Sequence, residues 1–183
     1  MKKICVVVDM INGFINEGPL ADKSIQAIVP ETIKVIQKLL DEGKDVLSFQ
    51  DTHTLDSLEF KSYPPHCLKD TSESDLIPEL KVFENKMIKV EKDTTNGFFA
   101  PGFQTYLLNN PDLQEVTVVG CCTDICVLQF TQSLKTYTQT IGKDMNIKVV
   151  QAAVDTFGSP NHDKEVFHKQ ALSLMQNAGI ELI

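Results

Sequence analysis

The stretch Val116-Thr117-Val118-Val119-Gly120-Cys121-Cys122-Thr123-Asp124-Ile125-Cys126 decides how this chain folds. Four β-branched residues in a row read as a fully buried strand, a glycine and small residues make a turn, and residues 124–138 then carry a helical pattern. The same alternation repeats outward in both directions. Strands are expected at Ile4–Val8, Val46–Phe49, Met87–Val90, Ile147–Val150 and Ile180–Ile183. Helices are expected at Ser24–Leu40, where Ile28, Val29, Ile33, Ile36, Leu39 and Leu40 share one face and Gly43 follows the end, and at residues 103–109 and 162–178. Continuous apolar strands joined by crossover helices predict an α/β domain: a doubly wound, mostly parallel sheet of about six strands with helices on both faces. Residues 1–183 are read as a single domain. Residues 52–83 stand apart, with Pro64, Pro65 and Pro78 and little periodicity, and a connection of that length is uncommon unless it builds a site.

Composition narrows the function. The 183 residues hold 25 acidic against 17 basic side chains, a net charge of -8, 42% apolar residues and no Trp. A chain of this size buries one sizeable core. The absence of any basic run argues against nucleic acid, whose affinity comes from neutralised phosphates. No window nears the roughly 18 apolar residues of a membrane helix, and Asp9 interrupts the first apolar run too early for a signal peptide, so a cytoplasmic protein without membrane contact is expected. Five cysteines at irregular spacing, without a secretion signal, read as free thiols.

In a doubly wound sheet the binding crevice lies beyond the carboxyl ends of the strands. The residues placed there are Asp9, Asp51 with His53, Glu91 with Lys92, the segment Gly120–Cys126, and Asp155. Cys126 falls in the first turn of a helix, where backbone N–H groups favour an anion and lower a thiol pKa, although a buried cysteine also behaves as a small hydrophobe. Asp9 and Lys92 supply a carboxylate to take the thiol proton and a cation to keep that carboxylate charged, an arrangement that also occurs as a plain structural ion pair. Asp51-Thr52-His53 sets a carboxylate and an imidazole two residues apart on one side of an extended segment, and Glu59 and His66 follow within the long connection. Zinc, iron or manganese accepts such a mixture. Cys121, Cys122 and Cys126 themselves lack zinc-site spacing.

These residues resemble the cysteine hydrolases of the isochorismatase-like superfamily. The likeness covers nearly the whole chain and is most specific at Gly120-x-x-Thr123-Asp124-x-Cys126-Val127, joined by Asp9 and by Val90-Glu91-Lys92 with Phe98 beyond. It implies Cys126 as nucleophile, Asp9 as general base and acid, and Lys92 as the cation that holds both. It also implies a cis peptide between Cys121 and Cys122 and an oxyanion hole from the backbone N–H groups of Cys122 and Cys126. Within the superfamily the nicotinamidases are similar in having Asp-x-His after the second strand and an aromatic-Pro-x-His-Cys segment, here Tyr63 to Cys67. The resemblance to them implies Asp51, His53 and His66 as ligands of one divalent transition metal, foremost zinc, with Glu59 as a further ligand directly or through water. It further implies Phe14 and Tyr63 flanking the ring of a small-molecule amide, nicotinamide or pyrazinamide, and a homo-oligomer, a dimer or tetramer. Tyr63 stands where Trp is usual in that group, and Gly13 where Asp is usual. Two other functions fit some of the residues: a related carbamoyl-amide hydrolase or isochorismatase with the same triad, and a phospho-receiver domain built on Asp9, Asp51 and Lys92. The second leaves His53, His66 and Cys126 unexplained. His162 and His168 are expected on a charged, solvated helix face, and Ser159-Pro160 at that helix's start.

Overall fold

The computed structural model describes residues 2–183. Six strands, β1 (Lys2–Val8), β2 (Asp45–Asp51), β3 (Ile88–Lys92), β4 (Leu113–Cys121), β5 (Asn146–Asp155) and β6 (Glu181–Leu182), form one sheet in the order β3-β2-β1-β4-β5-β6. Every pairing is parallel. The helices are α1 (Asn12–Ile15), α2 (Val29–Asp41), α3 (Pro78–Lys81), α4 (Pro101–Asn109), α5 (Leu128–Thr140) and α6 (Lys164–Asn177). This is the doubly wound architecture expected from the alternation of buried strands and helical segments.

Alternation along the strands explains the two cores. In β1, Ile4, Val6 and Val8 point to one face while Cys5 and Val7 point to the other, and all five are at most 1% exposed. The first face packs against α4, α5 and α6 through Phe103, Phe130, Leu134 and Met175; the second packs against α2 through Ile36 and Leu39. Phe49, Phe103 and Phe130 meet edge to face with centroids 5.0 to 5.4 Å apart. Such pairs add about 0.5–1.5 kcal/mol each beyond their buried area.

Local chemistry moves several boundaries. The helix expected over Ser24–Leu40 divides into a tight turn of 3-10 helix, Lys23–Ile28, and α2. Pro30 sits in the first turn of α2, where its missing N–H costs nothing and its ring restricts the residue before it. The helix expected from residue 124 is preceded by a wide π-type turn, Thr123–Val127, before α5 begins. The last helix starts later than Ser159-Pro160: Asp163 caps it by accepting from the Val166 N–H at 3.0 Å, while Ser159 and His162 close a tight turn by exchanging backbone hydrogen bonds of 3.0 Å. Residues 52–83 contain short helical turns, Leu58–Lys61 and Ser72–Ser74, and α3.

The chain leaves β1 toward β2 and β3, then returns to β4 on the other side of β1. Neighbouring connections therefore part company between β1 and β4, and a crevice opens above their carboxyl ends. Gly120 allows the two strands to meet there. Its φ is +113°, and a Cβ at this position would stand 2.0 Å from the Val8 carbonyl oxygen.

Candidate active site and metal centre

Three adjacent strands end in charged side chains. Asp9 follows β1 with φ 51°, Asp51 ends β2, and Lys92 ends β3 directly opposite Asp51 in register. All three are nearly inaccessible, at 0%, 1% and 2% exposure, so each charge must be answered by its neighbours. The Lys92 ammonium lies 2.9 Å from Asp9 Oδ2, 2.8 Å from Asp51 Oδ1 and 3.1 Å from the Thr94 carbonyl. Asp51 and the Thr94 carbonyl accept hydrogen bonds from it, and Asp9 Oδ2 answers it as an ion-pair partner. Asp9 Oδ1 accepts from the Asp51 backbone N–H at 3.2 Å.

The π-type turn after β4 brings Cys126 to the same place, near enough to Asp9 and Lys92 for their charges to act on its thiol. The peptide bond between Cys121 and Cys122 is cis. Burial, reinforced by the Asp51 charge and opposed by Lys92, raises Asp9 to about 6. Burial also pushes the Cys126 thiol well up, and the nearby Asp9 and Cys122 add to this against the pull of Lys92. Here the structure departs from the sequence expectation of a lowered thiol pKa: desolvation at the crevice floor outweighs the favourable turn, so Cys126 rests as a thiol beside an ionised Asp9.

A second group adjoins the first. Asp51 Oδ2 lies 2.9 Å from His53 Nε2 and 3.0 Å from His66 Nε2, and Glu59 Oε1 lies 3.9 and 3.8 Å from the same two nitrogens. The four donor atoms fall within 4.8 Å of one another. Adjacent ligands on an ion bound at about 2.1 Å stand about 3.0 to 3.4 Å apart, so the separations of Asp51 from both imidazoles are close to what a first-row divalent metal needs, while Glu59 at 3.8 and 3.9 Å stands outside that spacing. The hydrogen bonding of His66 fits too. Its Nδ1 lies 2.8 Å from the Pro64 carbonyl, which can only accept, so Nδ1 carries a proton and Nε2 is the atom turned to Asp51. Although burial opposes it, Asp51 and the Pro64 carbonyl raise the His66 pKa, so this nitrogen faces a carboxylate that favours a positive charge there, a second ring proton or a metal cation. Ser57 Oγ lies 3.0 Å from His53 Nδ1 and orients the other imidazole. Glu59 is anchored through Oε2, which accepts from the Thr95 N–H at 2.9 Å, and its pKa is raised by burial and by Asp51. Asp51 stays well below the usual carboxylate range although burial opposes this, because Lys92 and both imidazoles favour its charged form.

Both groups open into one cavity of about 640 Å³. Asp51, Glu59, His66, Lys92, Cys122 and Cys126 lie on its walls, as do Phe14 and Tyr63, the pair expected to flank a ring. Phe14 and Tyr63 approach His66 with centroids 5.7 and 6.2 Å away. Glu91 and Asp155, which share the same sheet edge, are not brought in: Glu91 turns outward to Lys89 and Lys69, and Asp155 pairs with Lys164 at 2.6 Å. Two wall strips escaped the sequence reading, Pro19–Lys23 and Phe157–Ser159, joined by the Gly158 N–H donating to Asp22 Oδ2 at 2.9 Å. The available signals were Gly18-Pro19 and Gly158-Ser159-Pro160, loop formers that say nothing about which cavity a loop borders. His162 and His168 are not on a free solvated face either. His162 pairs with Asp124 at 2.7 Å, and His168 Nδ1 lies 3.0 Å from Thr123 Oγ1.

Comparison with known proteins places this geometry in context. The isochorismatase domain model matches residues 3–183. Nicotinamidase 1 of Arabidopsis thaliana is 30% identical over 205 residues, covering 97% of this chain and 84% of that protein. The crystal structure of the pyrazinamidase/nicotinamidase of Streptococcus mutans superposes with a TM-score of 0.86 at 27% identity over 100% of both chains. The pyrazinamidase of Pyrococcus horikoshii, solved in complex with zinc, shares the fold with a TM-score of 0.76 at 20% identity, covering 100% of this chain and 99% of the other.

Proposed function

This chain belongs to the isochorismatase-domain family, and within that family we propose that it is a nicotinamidase, hydrolysing nicotinamide, and pyrazinamide as well, to the corresponding acid and ammonia. The observation that carries this reading is the meeting, on the walls of one cavity, of Lys92 and Cys126 with Asp51, Glu59 and His66, backed by Asp9 against Lys92 and by His53 against Asp51. Asp9, Lys92 and Cys126 suit acyl transfer through a thioester. Asp51, His53, Glu59 and His66 suit recognition of a ring nitrogen, a demand that a plain aliphatic amide would not make.

In the proposed reaction the carboxamide carbon lies against Cys126. Asp9, ionised above about pH 6, takes the thiol proton as sulfur attacks, so that the thiolate need not exist before substrate arrives. Lys92 stays charged throughout, because the nearby Asp51 and Asp9 carboxylates outweigh the desolvation that opposes its charge. It holds Asp9 in place and balances the negative charge as it passes between carboxylate and sulfur. The tetrahedral oxyanion rests on the backbone N–H groups of Cys122 and Cys126, and one such donor is worth about 3–4 kcal/mol. Asp9 returns its proton to the departing nitrogen as the C–N bond breaks. Water then attacks the thioester with Asp9 again as base, and the acid leaves. Asp51, His53 and His66, with Glu59 directly or through water, would hold a divalent metal, zinc foremost with iron or manganese suited to the same donors; when bound it supplies a Lewis-acidic position for a ring nitrogen. Phe14 and Tyr63 hold the ring plane. Residues 1–183 act as one hydrolase domain, in the cytoplasm and as a homo-oligomer.

The test is an ammonia-release panel over nicotinamide, pyrazinamide, benzamide and a carbamoyl amide, with metal content measured on the same sample. Turnover of the two ring-nitrogen amides well above benzamide supports the reading. Preference for the carbamoyl amide, or full turnover by metal-free protein, contradicts it.

A further inference from the structure

Asp124 stands two residues before Cys126 in the π-type turn, yet it faces away from Asp9 and Lys92 toward the loop that follows β5. Its Oδ2 lies 2.7 Å from His162 Nε2, while His162 Nδ1 lies 3.0 Å from the Phe157 carbonyl. That carbonyl can only accept, so Nδ1 carries a proton; Oδ2 also accepts, so a second proton lies between it and Nε2. The imidazole is sandwiched between Phe157, at 4.1 Å and 6°, and Phe167, at 4.0 Å and 23°. The two partners are largely withdrawn from water, with side chains 9% and 13% exposed for Asp124 and His162. A buried hydrogen bond of this charged kind is among the stronger ones a side chain makes.

The same loop forms a wall of the amide cavity. Phe157, Gly158 and Ser159 line it, and the loop is short and tightly turned between Ser159 and His162. Beyond that turn it is moored to the rest of the site at two carboxylates: Asp22, which accepts from the Gly158 N–H, and Asp124, which holds the ring stacked on Phe157. The second mooring runs straight into the turn that carries the nucleophile. We propose that Asp124 and His162 form a clasp that positions the Phe157 wall against the substrate ring, so that they set how tightly the amide is held and take no part in the bond-making steps. They are positioning residues. The proposal rests on the amidase reading only for its kinetic arm.

The experiment pairs three variants with two measurements. His162→Phe keeps a flat ring between Phe157 and Phe167 but removes both donors. Asp124→Ala opens the clasp from the other side. Asp124→Asn can close it again, because its amide N–H donates to Nε2 while Nδ1–H still serves the Phe157 carbonyl. Hydrogen exchange at residues 157–162, followed by mass spectrometry without substrate, should speed up at least about tenfold in His162→Phe and Asp124→Ala and stay near wild type in Asp124→Asn. In the ammonia assay the first two should raise KM about tenfold with kcat of His162→Phe held within about twofold, and Asp124→Asn should recover most of the wild-type KM. Unchanged exchange overturns the clasp. Faster exchange with unchanged KM, or a fall in kcat at constant KM, overturns its positioning role. If His162→Phe does not fold, the contrast between Asp124→Ala and Asp124→Asn carries both measurements. Failure of the wild type to act on nicotinamide would refute the substrate and leave the exchange result standing.

Discussion

Replacing Lys92 by Met would remove a buried cation while keeping much of its apolar stem. Two carboxylates, Asp9 and Asp51, would then share the crevice floor with no ammonium between them. Taking away one partner of a buried ionic group costs about 3–5 kcal/mol, most of it from the charge left uncompensated. The protein can soften that cost by binding a proton. Asp51 keeps hydrogen bonds from both imidazoles and stays ionised, whereas Asp9, already raised to about 6 by burial and by Asp51, loses the one charge that opposed the rise. A carboxyl whose folded pKa lies above its unfolded value binds a proton on folding across the window between them, so stability falls as pH rises through that window. In the wild type the window runs from 3.8 to about 6. In Lys92→Met it extends upward. Between pH 6 and 8 the stability gap between the two proteins should therefore widen by up to about 1.4 kcal/mol per pH unit, about 2.7 kcal/mol in all. Urea denaturation of chelator-treated protein at pH 6, 7 and 8 measures the gap, and Asp9→Asn placed in the Lys92→Met background should flatten it. A gap below about 1 kcal/mol, or one that ignores pH, would mean that Lys92 does not hold the charge of Asp9.

Other consequences follow from the same geometry. The pH profile of kcat/KM should fall about tenfold per unit on the acid side of about pH 6, where Asp9 becomes protonated and can no longer take the thiol proton; an acid limb near 4 would assign the base elsewhere. Ser57→Ala removes the hydroxyl that orients His53 and should weaken metal affinity about 10- to 100-fold by competition with a chelator, with little loss of thermal stability. Gly120→Ala should fail to fold or should separate β1 from β4, because the new Cβ meets the Val8 carbonyl at 2.0 Å; wild-type stability of this variant would contradict the close approach on which the crevice depends.

Much of this molecule is written locally. Runs such as Ile4–Val8 and Val116–Val119 have no polar face to show to water, so they can only be inner strands, and parallel strands need the helices that separate them. Once that is granted, Asp9, Asp51, Lys92 and Cys126 must gather at one edge of the sheet. The neighbours that set the chemistry are less legible. The thiol pKa of Cys126 depends on desolvation by the whole crevice, which outweighs the local turn that the sequence displays. Pro19–Lys23 and Phe157–Ser159 meet across more than 130 residues through one Asp22 to Gly158 hydrogen bond, and no periodicity encodes such a contact. His162 illustrates the same limit. Amid Asp163, Lys164 and Glu165 it reads as solvated, and only the return of its loop over the nucleophile turn places Asp124 and two phenylalanines around it.

In the proposed reaction Cys126 carries the acyl group of nicotinamide as a thioester. Rapid chemical quench of metal-loaded protein mixed with excess nicotinamide, followed by peptide mass spectrometry, would trap that intermediate. A nicotinoyl adduct is expected on the peptide holding Cys126, lost on treatment with hydroxylamine and absent from Cys126→Ala, which should release no ammonia while keeping its fold. Turnover by Cys126→Ala, or an adduct on Cys122 or any other residue, would place the nucleophile elsewhere.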